Sequence, residues 1–189
     1  MRAWLALIAA LALAACASRP ADEPELPEDL PLQAVGHVDL DRYMGRWYLI
    51  ANIPYFAERG NLAAYVEYRR REDGRIDDYY TARDAFDHPP FTKHGQIIVL
   101  DPKDNSAGQI SFLEPLWLDY SIVFLDADYR YTAIAHPSRN YAWIFSRTPR
   151  MPDEVYRRAI DALAANGFDV ARVLKMPQFP AQVGQPGFQ

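Results

Sequence analysis

Four histidines, the carboxylates Asp126 and Asp128 and a single cysteine are residues whose types could do chemistry beyond packing. His37 ends a proline-rich stretch, His88 precedes Pro89, His94 opens an apolar segment and His136 precedes Pro137. None is paired with another at metal-ligand spacing, so all four read as solvated loop histidines and no metal is expected. Asp126 and Asp128 could share one side of a strand end as an acid-base pair, but carboxylates that bracket a hairpin more often shape the turn. A G-x-S-x-G elbow, a glycine-rich phosphate loop and a dinucleotide fingerprint are absent from the sequence, so no catalytic residue and no cofactor are predicted. The formal charge is −5 and the basic run Arg69-Arg70-Arg71 is short, which argues against a nucleic-acid partner.

The cysteine, Cys16, follows "MRAWLALIAALALAA", in which Arg2 precedes thirteen apolar residues. That run is too short to span a bilayer and has the length of a secretory signal core, so residues 1–15 are predicted to direct export. Leu13-Ala14-Ala15-Cys16 resembles the lipobox of bacterial lipoproteins, which implies that Cys16 is acylated and becomes the new amino terminus. Two or more acyl chains, at about 0.8 kcal/mol per buried methylene, hold a protein stably on a membrane. Ala17 stands where the resemblance would put an aspartate for inner-membrane retention, so the outer membrane, at its periplasmic face, is the expected address. Residues 16–36 then carry Pro20, Pro24, Pro27 and Pro31 among five carboxylates, a composition expected to form a solvated tether. At about 3.1 Å per residue such a tether reaches up to roughly 60 Å.

Beyond the tether, residues 37–180 must supply any site. Eight short segments of alternating character predict strands near Arg46–Asn52, Leu62–Arg70, Ile76–Arg83, Lys93–Leu100, Gln109–Phe112, Trp117–Leu125, Tyr131–His136 and Tyr141–Ser146. Glu72-Asp73-Gly74, Pro89-Pro90 and Asp101-Pro102-Lys103-Asp104-Asn105 are turn chemistry between them. "MPDEVYRRAIDALAANGF" then changes period, with Val155, Tyr156, Ala159, Ile160, Leu163 and Ala164 on one face of a helix that Asn166-Gly167 stops. An all-β, eight-stranded antiparallel up-and-down barrel with one C-terminal helix packed outside is the expected fold, followed by a tail at 181–189. Eight strands enclose room for one small ligand.

Three motifs sharpen this. Gly45-Arg46-Trp47 resembles the G-x-W that opens the first strand of lipocalins, Asp126-Ala127-Asp128-Tyr129 is similar to their T-D-Y-like motif before the seventh strand, and Ser146-Arg147-Thr148-Pro149 supplies the arginine of their third. The span from Val38 to Phe179, including Phe56-Ala57-Glu58-Arg59-Gly60 and Tyr141-Ala142-Trp143-Ile144-Phe145-Ser146-Arg147-Thr148-Pro149, resembles bacterial lipocalins of the outer-membrane lipoprotein kind, in the apolipoprotein D-like family. The resemblance implies a closed barrel end built from Gly45, Trp47, Asp128, Tyr129 and Arg147, with the Arg147 guanidinium over the Trp47 ring. Such a contact contributes about 0.5 to 2 kcal/mol. Gly45 is expected to spare the backbone a collision beneath the indole.

Candidates for lining the lumen are Tyr48, Tyr65, Tyr79, Phe112, Trp117, Tyr120, Phe124, Tyr131 and Trp143, all on expected strands where some must face inward. Phe112-Leu113-Glu114-Pro115-Leu116-Trp117, apolar around a proline, is the expected barrel mouth. The leading functional expectation is a membrane-anchored, non-enzymatic protein that stores or transports a fatty acid or lysophospholipid; the lipid class comes from the resemblance. An envelope enzyme acting on a lipid or isoprenoid is the alternative, with Glu67 or a tyrosine as its proton-transferring group; a solidly packed interaction module is another. An apolar mouth would also leave a patch that a second copy could cover, as a homodimer.

Overall fold

A computed structural model describes residues 31–189; the signal segment, Cys16 and residues 16–30 of the expected tether lie outside the described residues. Eight antiparallel strands follow in order: β1 (Gly45–Ile53), β2 (Leu62–Arg70), β3 (Ile76–Arg83), β4 (Phe91–Val99), β5 (Ala107–Leu113), β6 (Leu116–Leu125), β7 (Tyr131–Ala135) and β8 (Ala142–Ser146). Each pairs with its sequence neighbour, and β1 pairs with both β2 and β8, so the sheet closes into a barrel. A one-turn helix, α1 (Leu40–Tyr43), precedes the barrel, helix α2 (Asp153–Ala165) follows it, and a two-residue strand, β9 (Leu174–Lys175), adds to β1 from outside.

Two sets of apolar residues result from strand alternation. Inside lie Trp47, Leu49, Val66, Tyr68, Ile76, Tyr80, Ile97, Ile122, Ile134 and Phe145. Outside, α2 buries Ala159 and Leu163 against Ala51, Ala133, Ala135, Ala142 and Ile144. Alanines on the outer faces of β7 and β8 let the helix approach the sheet closely. The helix stops where Gly167 N donates to Ala164 O and Phe168 N to Leu163 O, closing the last turn as the Asn166-Gly167 pair predicts.

The closed end is assembled on Arg147. Its Cζ lies 3.7 Å from the centroid of Trp47, which is fully buried. Nη2 donates to Arg42 O and Tyr43 O, Nη1 to Arg46 O, and Nε to Tyr129 O. Trp47 Nε1 in turn donates to Tyr43 O. Gly45 has φ +90, a conformation that disfavours side chains, whereas a Cβ there would stand at an ordinary 3.5 Å from Arg147 Nη1. The requirement for glycine is therefore one of backbone conformation and not the collision expected from the sequence. Asp126, not Asp128, shapes the β6–β7 turn, since its Oδ1 accepts from Arg130 N and Tyr131 N at 2.6 Å. Asp128 is exposed beside Arg130, and the Tyr129 hydroxyl accepts from Asp39 N at 2.8 Å.

Both ends of the described chain pack on the barrel, the first of them where the sequence suggests a solvated tether. Val35 N donates to Ile122 O and Gln33 N to Asn166 Oδ1, so residues 31–36 lie along the barrel and not in the tether. Across from them, β1 and β2 diverge beyond Tyr48, and the chain after α2 fills the gap. Met176 N donates to Ile50 O, Ala63 N to Pro177 O, and Gln178 Nε2 to both Leu49 O and Ala64 O. The final residue joins in, with Gln189 Nε2 on Asn52 Oδ1 at 3.2 Å. Replacing Arg147 by alanine removes the ring contact and the donors to four carbonyls together, and is expected to cost about 2 to 4 kcal/mol. Urea unfolding should show that loss as a lower midpoint at unchanged slope, with Arg147→Lys recovering less than half of it.

Candidate functional site

Register fixes which side chains face the lumen. Tyr68, Asp78 and Gly95 stand side by side on β2, β3 and β4, and Val66, Tyr80 and Lys93 form the next row toward the open end. The intervening residues face out: Thr81 and Thr92 share a hydrogen bond there, and His94 Nε2 pairs with Asp77 Oδ1 at 2.8 Å.

Of the nine aromatics singled out from the sequence, Phe112, Tyr120 and Trp143 face inward. The Phe112 ring lies where a Cβ on Gly95 would come within 2.9 Å of it, so glycine makes room for the ring. Tyr120 and Trp143 pack against the interior cluster. The other six lie elsewhere. Tyr48 and Tyr65 meet each other on the outer surface with Arg46 over Tyr65; Arg69 covers Tyr79 and Arg130 covers Tyr131. Trp117 shares its strand face with Asp119, which accepts from Gln109 Nε2 on the exposed side. Phe124 would face inward by simple alternation, but a register shift between Ile122 and Phe124 turns it under α2, where Arg158 lies over its ring. Glu67, the carboxylate considered for proton transfer, is also on the outer face and is ion-paired with Arg46 and Arg69.

Two other carboxyls are buried inside. Asp78 is 2% exposed among the tyrosines of the barrel floor, and its Oδ1 has no hydrogen-bond partner among the described residues. Burial, reinforced by the Glu58 charge, pushes it up to about 8. Glu58 sits in the loop between β1 and β2, with both oxygens 3.0 Å from Trp143 Nε1 and one 3.0 Å from Asn52 Nδ2. Burial raises it to about 7 despite these donors. It thereby pins the mouth loop to β1 and β8. The sequence displays both residues without marking them: Asp77-Asp78 leaves open which one turns in, and Glu58 resembles any loop acid.

At the open end, residues that alternation points inward are still in contact with solvent. Phe112 is 38% and Leu118 48% exposed, and Lys93 is exposed as well. Solvent therefore reaches the inner face of the sheet at the β5–β6 hairpin, whose Leu113 and Leu116 form an apolar rim, and Phe56 of the β1–β2 loop is exposed at the same end of the barrel. The segment around Pro115, expected from the sequence as the mouth, is the β5–β6 hairpin and exposes Phe112, Leu113, Leu116 and Leu118. Among the described residues no three His, Cys, Asp or Glu side chains cluster to hold a metal.

A barrel closed at one end by a stacked arginine, open at the other and apolar within defines a class of protein that encloses small ligands. Residues 38–178 match the family model described as a lipocalin-like domain, and the chain belongs to the lipocalin family. It is 30% identical over 177 residues to outer membrane lipoprotein Blc of Escherichia coli K12, covering 92% of this chain and 94% of that protein. It is also 30% identical over 166 residues to temperature-induced lipocalin-1 of Arabidopsis thaliana, with 81% and 86% covered. Among solved structures, insecticyanin from Manduca sexta shares the fold at a TM-score of 0.64 and 16% identity, covering 80% of this chain and 87% of that one.

The raised carboxyls make stability depend on pH in a stated direction. Glu58 and Asp78 hold protons in the folded state that the unfolded chain has already released, so their contribution is full below about pH 4 and is lost as pH rises through about 7 and 8. Asp78→Asn should flatten this decline, so that the variant loses less stability than the wild type between pH 5 and pH 9. Chemical denaturation at pH 5 and pH 9 measures the difference.

Proposed function

We propose that this lipocalin stores or carries a single-chain lipid, a fatty acid or a lysophospholipid, in the barrel lumen while anchored to the outer membrane through an acylated Cys16. The observation that carries the reading is the open mouth, where inward-facing Phe112 and Leu118 remain exposed above an apolar interior. Burial of an acyl chain there contributes about 25 cal/mol per Å² of apolar surface, enough for micromolar affinity after immobilisation entropy. The names of the Blc relatives as outer membrane lipoproteins support the envelope location, and Leu13-Ala14-Ala15-Cys16 supports the anchor. Facing the periplasm, the exposed Leu113 and Leu116 rim would serve ligand entry or a second copy of the chain.

One observation favours a second reading. Asp78 is a proton-bearing group on the barrel floor, which an envelope enzyme acting on a lipid or isoprenoid would need. Chemical change in a lipid incubated with the protein, lost in Asp78→Asn while binding persists, would replace binding with catalysis as the conclusion.

Native mass spectrometry of the protein isolated from membranes, followed by solvent extraction, should yield one fatty acid or lysophospholipid per barrel. Titration of the emptied protein with the same lipid should quench Trp143, and an empty barrel that leaves the fluorescence unchanged would refute the proposal. Cys16→Ser should move the protein from the membrane fraction to the soluble fraction; continued sedimentation with membranes would refute the anchor.

A further inference from the structure

The lumen contains an unneutralised cation. Lys93 stands opposite Tyr80 on β3, which is buried in the barrel interior, so its side chain leaves β4 on the inner face. It is nevertheless exposed, and its Nζ lies 5.6 Å from the ring centroid of Phe91, one inward position nearer the mouth. Cations at the closed-end terminus of β2 are matched: Arg69 with Glu67, Arg70 with Asp41, Arg71 with Asp73 and Asp77. Lys93 has no such ion pair among the described residues. Glu58 feels its charge, but both Glu58 oxygens are already engaged by Trp143 and one by Asn52. An ammonium on a wet, apolar-walled opening is placed to meet a charge that arrives with the ligand.

Deeper in, the electrostatics oppose an anion. Asp78 lies beside Gly95, one inward position below Lys93, with an unpartnered oxygen. A carboxylate or phosphate driven to that floor would meet an acid, and the cation beyond it, Arg147, already has its donors committed to four backbone carbonyls and its face to Trp47. An acyl chain meets Val66, Tyr80 and Ile97 instead.

We propose that Lys93 is the headgroup-recognition residue of the lumen, selecting single-chain amphiphiles with an anionic carboxylate or phosphate and holding that group at the mouth with the tail inward. This rests on the lipid-binding reading above and adds to it an orientation and a charge preference.

The test compares three lipids of equal chain length on the emptied full chain: palmitate, palmitoyl lysophosphatidate and uncharged monopalmitin. Lys93→Gln should weaken one or both anionic lipids about three- to ten-fold, the range of a partly desolvated ion pair, and leave monopalmitin within about two-fold. Lys93→Arg should retain anionic binding, and high salt should bring the wild-type affinity down to that of Lys93→Gln. Loss confined to palmitate assigns a free carboxylate as the headgroup, and loss confined to lysophosphatidate assigns a phosphate. Equal weakening of all three lipids, or no change in any, overturns the role of Lys93 while lipid binding stands. Failure of the wild type to bind any of the three overturns the lipid-binding reading as well.

Discussion

The guanidinium of Arg147 is the constraint on which the closed end depends. It covers the Trp47 ring from β8 and donates to carbonyls of α1, of the start of β1 and of the β6–β7 turn. Strands distant in sequence are thereby joined at one point, and with Trp47 Nε1 on Tyr43 O the indole has its polar edge satisfied and its face covered. A barrel needs one end filled before the other can be left open without collapse of the interior. Here the filling side chains are Trp47, Tyr43 and Tyr68, with Tyr43 tilted against Trp47 at 5.0 Å and stacked on Tyr68 at 5.9 Å between ring centroids.

Closure of the sheet depends on a second device. β1 cannot pair along its whole length with both neighbours, because its bulge after Leu49 directs the later residues to β8 and away from β2. Backbone groups at the resulting seam are satisfied by Met176, Pro177 and Gln178. A glutamine amide offers two donors, which is what two carbonyls on diverging strands require. Buried peptide groups left unpaired would each cost about 1 to 3 kcal/mol, so the segment after α2 belongs to the barrel as much as any strand does.

The strands, their order and the helix were legible in the sequence because they rest on local signals: alternation, turn residues and a change of period. The closed end was legible through three short motifs. What alternation alone cannot give is its own phase across a bulge, and Phe124 shows why, since one extra residue in β6 moves it from lumen to helix interface. Tyr48, Tyr65 and Tyr79 illustrate a second gap. Aromatic rings on an outer face capped by arginines look, in sequence, the same as rings lining a cavity. The seam made by Gln178 and the packing of residues 31–36 depend on distant backbone partners and leave no local pattern.

Charge placement links these pieces. A carboxyl inside a barrel is tolerated when protonated, and Asp78 is driven to that form by burial and by Glu58. A cation inside is tolerated when water reaches it, and Lys93 is placed where water does. The lumen therefore carries a neutral acid at its floor and a solvated positive charge near its mouth, a gradient that an uncharged cavity would lack. An amphiphile bound as proposed would meet different electrostatics at its two ends, so its orientation would follow from the wall itself and not only from the apolarity of the interior.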